Sequence, residues 1–134
     1  MKSKIEFREV HDVGLAIVPE FGDAAVPIYQ AYLINLKSKP LKGVFVVCSG
    51  HGVVEGTEIE TSTLRVMIEE LGPESIKKLD AFPREAAGLK NEYWVSFKLN
   101  EYLYDRKFTF EPGDLDEDNY EFVPILERVG VIMH

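Results

Sequence analysis

Alternating apolar and polar positions predict β-strands along most of the chain. The clearest alternation runs from Tyr93 to Leu99, where every second residue is large and apolar. A period of two places these residues on one face of a strand and their neighbours on the other. The next run, from Tyr102 to Phe110, repeats the alternation after Asn100-Glu101. The two runs therefore predict a β-hairpin.

Four further segments have the composition of strands. Ile28 to Leu36 and Val44 to Ser49 are rich in β-branched and aromatic residues, and we interpret them as a second strand pair. Their connection, 37–43, contains a proline and a glycine that suit a turn. Val13 to Val18 and Phe122 to Met133 read as edge or bulged strands. The total is seven to nine strands.

The segment from Ser62 to Phe82 fits two structures. Apolar residues at positions 64, 67, 68 and 71 have helical spacing, which fits a short amphipathic helix. The alternative is a strand from Thr61 to Ile68, a turn, and a second strand from Ser75 to Phe82. We favour the two strands, because they keep the all-β order of the remaining chain.

The length and composition of the chain predict how many domains it forms. The chain has 134 residues, of which 46% are hydrophobic and 28% charged, and it contains no low-complexity tract. This length and balance are typical of one globular domain with its own core. The prediction is a single domain over residues 1–134, an all-β antiparallel sandwich.

The net charge of the chain and the length of its apolar runs limit the kinds of partner that we expect. Fifteen basic and 23 acidic residues give a net charge of −8, which disfavours nucleic acid as a partner. Six of the acidic residues lie between Glu111 and Glu121, so the rest of the chain carries only −2. The longest apolar run, Val44 to Cys48, is far too short to span a membrane. With no apolar leader at the start, we expect a cytoplasmic protein.

The segment Cys48-Ser49-Gly50-His51-Gly52 is the first candidate for chemistry. A thiol and an imidazole within four positions are the components of a cysteine nucleophile and its base, so Cys48 and His51 are candidate catalytic residues. The simpler interpretation is a buried cysteine at the end of a strand, followed by an ordinary turn over 49–52.

Two acidic segments are candidates for metal binding. His51 with Glu55, Glu58 and Glu60 offers nitrogen and oxygen ligands, but the spacings typical of zinc sites are absent and we favour the simpler interpretation, a solvated acidic hairpin. Aspartates at alternate positions begin the segment 114–125 like an EF-hand loop, and these candidate ligands are Asp114, Asp116 and Asp118. The sixth position of that frame is Asn119 and the twelfth is Ile125, so the calcium motif is incomplete. We expect no cofactor.

Two surface features are candidates for binding another protein. Trp94 belongs to the row opposite Tyr93, Val95 and Phe97, so it is either exposed on a sheet face or covered by a loop. An exposed tryptophan is typical of an interface. The turn between the second strand pair is basic, and its candidate binding residues are Lys37, Lys39 and Lys42. These lysines and the acidic segment 111–121 offer opposite charges for docking.

Several stretches resemble a known family. They are Val26 to Leu36, Pro40 to Val44, Thr61 to Arg65, Leu89 to Phe97, Tyr104 to Phe108 and the ending Gly130-Val131. The pattern resembles a family of short, acidic, uncharacterised bacterial proteins, some of which are labelled as relatives of the phenylalanyl-tRNA synthetase α subunit. This chain is too short for a synthetase core, and no motif arginines can be placed in it. The resemblance implies an immunoglobulin-like or fibronectin-like sandwich and carries over no catalytic residue.

The sequence thus favours a non-enzymatic protein-binding or assembly module with a protein partner or a second copy of itself. Two alternatives stay open. One is a small enzyme that uses Cys48 and His51, and the other is a calcium-responsive module built on the segment 111–121.

Overall fold

The computed structural model describes residues 11–21, 27–61 and 63–134, and it is an all-β protein. The strands are β1 (Val13–Phe21), β2 (Pro27–Asn35), β3 (Leu41–Val54), β4 (Thr57–Glu60), β5 (Leu64–Leu71), β6 (Ser75–Pro83), β7 (Lys90–Leu99), β8 (Tyr102–Phe110), β9 (Glu121–Val123) and β10 (Arg128–Met133). The described helices are two short 3₁₀ turns, Arg84–Gly88 and Glu117–Asn119. The predicted all-β sandwich is confirmed, with ten described strands instead of seven to nine.

Two antiparallel sheets form the sandwich. The first has the order β6-β2-β1-β10-β9, and the second has the order β4-β3-β7-β8. β3 is 14 residues long and pairs with two strands along one side. Leu41 to Cys48 pair with β5, and His51 to Val54 pair with β4.

The β7–β8 hairpin confirms the clearest prediction from the sequence. Its turn residues, Asn100 and Glu101, have φ of 51° and 69°. Two consecutive left-handed residues are typical of the two-residue turns that match the twist of paired strands. Tyr93, Val95 and Phe97 are each 1% exposed, as the alternation predicts for a core-facing row.

The predicted pairing of the second and third strands is wrong. β2 lies in the first sheet and β3 in the second, so the segment between them crosses from one sheet to the other. Asn35, at the end of β2, is fully buried there. Its Nδ2 donates to the carbonyl oxygens of Lys39, Leu71 and Gly72 at 2.9, 3.2 and 2.9 Å. Its Oδ1 accepts from the Lys37 amide at 3.0 Å.

Asn35 therefore joins two sheet-to-sheet connections. Leu71 ends β5 in the second sheet, and the chain then crosses back to β6 in the first. A buried amide is needed here, because strand ends that leave their sheets carry carbonyl groups with no ladder partner.

The strands on both sides of this connection also differ in length from their predictions. β3 starts at Leu41 instead of Val44, and it contains an irregularity between Lys42 and Phe45, where Gly43 has a φ of +55° that glycine adopts without strain. β3 also continues through residues 49–52, where the sequence predicted a turn. A Cβ at Gly50 would lie 2.9 Å from Asn91 Oδ1, so this glycine permits a close approach instead of a bend.

Residues 64–83 decide between the helix and the two strands that the sequence allowed for this segment, in favour of strands. β5 spans Leu64–Leu71 and β6 spans Ser75–Pro83, so the amphipathic helix is wrong for the described residues. The first strand ends three residues later than predicted, at Leu71 instead of Ile68. Residue 62 lies outside the described residues. Leu71 is buried while Met67 is 78% exposed, a burial pattern that does not follow helical spacing.

The sequence predicted edge or bulged strands for the first and last segments, and of the strands that these segments form, β9 lies at the edge of its sheet. β1 lies between β2 and β10 and is a central strand. It also extends through Pro19, which pairs with Tyr29 of β2. Because β10 pairs only with Leu15 to Ile17, Pro19 lies beyond that ladder and its missing N–H breaks no bond to β10.

Buried apolar side chains form two clusters, one on each face of the first sheet. The larger lies between the sheets and includes Leu15, Ile17, Leu33, Val46 and Phe97. The smaller lies on the opposite face of β1 and β2 and consists of Ala16, Val18, Tyr32, Ile34 and Val123. Burial on both faces explains why β1 and β2 are apolar without alternation. No helix in the described parts of the chain has the length and apolar character to cross a membrane.

Candidate functional site

The face of the second sheet that points away from the core carries exposed large apolar side chains on its central strands, β3 and β7. Trp94 lies on this face in β7 and is 45% exposed. Its cross-strand neighbours are Val47 of β3 and Lys107 of β8. The Lys107 Nζ lies 5.1 Å from the centre of the indole ring, within the range of a cation–π contact. Of the two alternatives that the sequence left open, the structure places Trp94 on an open sheet face.

Three other apolar residues continue the surface from Trp94 toward the edge of the sheet. Val47 and Phe45 of β3 are half-buried, and Met67 of β5 is 78% exposed. Phe45 pairs with Met67 across the strands. We call these four residues, with the flanking cations Arg65 and Lys98, the tryptophan face.

Ion pairs centred on Glu92 border the tryptophan face. The Glu92 Oε1 lies 3.5 Å from His51 Nε2, 3.7 Å from Lys90 Nζ and 3.6 Å from Lys107 Nζ. Partial burial alone would raise the pKa of Glu92, but Lys107, His51 and Lys90 outweigh it and the pKa is lowered. Glu92 is therefore a stable anion that fixes Lys107 beside Trp94.

The structure separates Cys48 from His51. Cys48 belongs to the core-facing row of β3 and is 4% exposed, whereas the His51 side chain lies on the outer face and is 47% exposed. Burial, with a contribution from Asp80, raises the pKa of the Cys48 thiol to about 12. A thiol of this kind is protonated at neutral pH, and the imidazole of His51 lies on the other side of the sheet.

The acidic segment 111–121 uses its polar groups to hold its own turns. Asp114 Oδ2 accepts a hydrogen bond from the Glu111 amide at 2.8 Å. Asn119 Nδ2 donates to the Gly113 and Asp114 carbonyl oxygens. Asp116 and Asp118 are exposed. Within residues 11–21, 27–61 and 63–134, no three His, Cys, Asp or Glu side chains are arranged to hold a metal ion.

The other acidic candidates form the exposed hairpin that the sequence offered as their simpler explanation. β3 and β4 are joined at Glu55 and Gly56, with φ of 50° and 78°. Glu58 and Glu60 are exposed on β4.

The three lysines of the basic turn occupy different environments. Lys37 is half-buried, and its carbonyl oxygen accepts from the Glu74 amide at 3.1 Å. Lys39 and Lys42 are exposed and line a surface depression of about 400 Å³ together with Lys98. Lys42 and Lys98 are directly opposite each other on β3 and β7, so the depression joins the tryptophan face.

The sequence did not predict a cavity, but the structure has one beside the candidate residue Cys48. It has a volume of about 280 Å³ and opens between β3, β6 and β7. Cys48, Asp80 and Tyr93 contribute its titratable groups. The Tyr93 hydroxyl donates to Asp80, with oxygen distances of 3.1 and 3.4 Å. Burial raises the pKa of Asp80, and burial together with the Asp80 charge raises that of Tyr93.

Buried amide side chains support the strands around this cavity. Gln30 Nε2 donates to the Leu79 and Asp80 carbonyl oxygens at 3.1 and 3.0 Å. Asn91 Nδ2 donates to the Ala86 and Leu89 carbonyl oxygens at 3.0 and 3.1 Å. The one sign of these buried amides in the sequence is Gln30, a polar residue within an apolar run.

The fold and this surface define an all-β antiparallel sandwich domain with an open apolar sheet face. A comparison with models of known protein families found no match for the chain, and neither did a comparison with curated proteins. The resemblance to short acidic bacterial proteins therefore stays a prediction.

Proposed function

We propose that the protein is a non-enzymatic assembly module whose tryptophan face binds a second copy of the same chain. The observation that carries the proposal is the exposure of Trp94 at 45% and Met67 at 78% on one sheet face. Isolated surface apolar residues are ordinary, but neighbouring ones centred on a tryptophan are typical of binding surfaces.

The charges around the tryptophan face favour an acidic partner. Arg65 and Lys98 are exposed, and neither makes an ion pair with another residue in the described ranges. Lys39 extends the positive charge along the depression at the end of the sheet. The same sheet face also carries carboxylates, among them Glu92 and the exposed Asp105 opposite Ser96, so the positive charge is concentrated at Arg65, Lys98 and Lys39 and does not cover the whole face. Opposite charges at such a rim select the partner and speed the encounter.

The chain itself carries a complementary surface on the first sheet. Phe122 of the edge strand β9 is 64% exposed and pairs with Val129, which is 54% exposed. The segment that leads into β9 carries four exposed carboxylates, which belong to Asp116, Glu117, Asp118 and Glu121. We call this surface, an apolar pair with an anionic border, the acidic edge.

The two surfaces lie on different sheets, so their contact is head to tail. The tryptophan face of one copy binds the acidic edge of the next, so the bound pair keeps one tryptophan face and one acidic edge free. A heterologous contact of this type builds rings or open chains instead of a closed symmetric pair.

Sedimentation velocity with single-surface variants tests the proposal. Trp94→Ser disables the tryptophan face and Phe122→Ser disables the acidic edge, while Val53→Ser removes an apolar side chain that is 66% exposed outside both surfaces. We expect the native chain and Val53→Ser to associate with rising concentration, and more weakly at high salt. Each of the other variants alone is expected to stay monomeric.

Mixing the two disabled variants gives the decisive result. Trp94→Ser retains an intact acidic edge and Phe122→Ser an intact tryptophan face, so an equimolar mixture forms a dimer that cannot extend. A native chain that stays monomeric at millimolar concentration and low salt overturns the proposal. So does a mixture that remains monomeric, since a head-to-tail contact requires the dimer.

Two finer assignments belong to this proposal. Within the sandwich class we propose an immunoglobulin-like relationship, supported by consecutive strands that switch between two antiparallel sheets. The exposed Trp94 and the single cysteine depart from the buried tryptophan and inter-sheet disulfide of antibody domains. We also propose a cytoplasmic location, supported by the free Cys48. Fractionation of the source cells tests the location.

A further inference from the structure

We propose that the cavity between β3, β6 and β7 binds a small organic cation, an alkylammonium group, with Asp80 as its anionic anchor. This site is separate from the tryptophan face. The residues described as lining the cavity include none of the six residues that define that face.

The hydrogen bonds inside the cavity leave acceptor capacity at Asp80. A carboxylate has about four acceptor positions, and a tyrosine hydroxyl supplies one proton. The Tyr93 hydroxyl lies 3.1 and 3.4 Å from the two Asp80 oxygens. Among the described residues, it is the side-chain group that donates a hydrogen bond to this carboxylate. A ligand with several N–H groups can use the remaining positions.

The electrostatics of the cavity favour a cation. No lysine, arginine or histidine lines the cavity among the residues described, so Asp80 is its one charged side chain. A half-buried anion without a cationic partner is costly, and burial accordingly raises the pKa of Asp80. A bound ammonium group supplies the missing charge, whereas an anionic ligand is repelled.

The walls and the size of the cavity set the class of cation. Leu64, Phe82 and Ala86 provide apolar contacts for an alkyl chain. The volume of about 280 Å³ lies just below the range of sites for drug-sized molecules. The site therefore suits a short alkylammonium ion, and a bare metal ion finds no set of three ligands among the described residues.

Nuclear magnetic resonance titration with matched probes tests the site. The probes are n-butylammonium and n-butanol, which share an alkyl chain and differ in charge. We expect saturable shifts of the Cys48, Asp80 and Tyr93 amide signals with n-butylammonium, and binding at least about tenfold weaker with n-butanol. Binding should also weaken as acid protonates Asp80.

Two substitutions separate the anchor from general charge effects. Asp80→Asn removes the charge with nearly the same shape and is expected to lower n-butylammonium affinity about tenfold or more. Asp105→Asn makes the same change at an exposed residue of β8 and should leave affinity unchanged. Equal binding of the two probes by the native chain overturns the proposal, and this comparison holds even if Asp80→Asn does not fold. Absence of saturable shifts at millimolar probe, or unchanged affinity in a folded Asp80→Asn, also overturns it.

Discussion

Asn35→Ala is the substitution that tests the sheet-to-sheet connections most directly. The Asn35 side chain is 0% exposed and reaches carbonyl oxygens of both connections, between β2 and β3 and between β5 and β6. Alanine removes both N–H donors and the acceptor for the Lys37 amide. The Leu71 carbonyl oxygen, which accepts from Asn35 in a buried contact, then loses its side-chain donor.

The magnitude follows from these groups. The Asn35 amide has two N–H hydrogens, which the three carbonyl oxygens share, and its Oδ1 accepts one bond, so the side chain contributes the equivalent of three bonds at about 1 kcal/mol each, for about 3 kcal/mol. The buried Leu71 carbonyl left without this donor adds about 1 kcal/mol or more. We therefore expect Asn35→Ala to lower the free energy of unfolding by about 4 kcal/mol. At about 4 °C per kcal/mol for a chain of this size, the melting temperature falls by about 16 °C.

Urea unfolding followed by circular dichroism measures this loss. Asn119→Ala is the matched control, because Asn119 is exposed and its amide donates over longer distances, 3.3 and 3.2 Å. We expect the control to change stability by less than about 1 kcal/mol. A loss of less than about 1 kcal/mol for Asn35→Ala, or a loss equal to that of the control, would refute the role assigned to Asn35.

Two further predictions concern the core. Because burial raises the Cys48 thiol pKa from 9.0 to about 12, iodoacetamide at pH 8 should alkylate the native thiol about a thousandfold more slowly than the urea-unfolded one, and equal rates would contradict this. The unfolded thiol ionises first, so the stability contributed by Cys48 is complete below pH 9 and is lost as the pH rises toward 12. In Gly130→Ala the new Cβ would lie 2.6 Å from the Ile17 carbonyl oxygen, and urea unfolding should show a loss of about 2 kcal/mol or more. Gly88→Ala, with no atom within 4 Å of the new Cβ, should be close to neutral, and equal losses in the two variants would show that the clash is relieved.

The sequence predicted strands best where a single sheet face is buried. Tyr102 to Phe110 matches β8 residue for residue, because alternating burial leaves a period of two in the sequence. The same logic placed Trp94 on the row opposite the core-facing residues of β7. Prediction was weaker for β3, where glycines that permit close packing were interpreted as a turn.

Pairing between strands was beyond the sequence because neighbours in the chain need not be neighbours in a sheet. The connection after Asn35 has turn composition whether it returns to the same sheet or crosses to the other. The distance between Cys48 and His51 was misleading for a related reason, since three residues along a strand place two side chains on opposite faces.

Local patterning by itself determined that the chain is an all-β domain, which rows face the core, and that Trp94 lies opposite one of them. Only the tertiary structure decided which strands share a sheet, that Asp80 and Tyr93 meet at a cavity, and that Met67 extends the surface around Trp94. The physical reason is that alternation records burial of each residue separately. Sheet order, cavities and surface patches arise from contacts between segments that are distant in the chain, and single-residue patterns do not encode them.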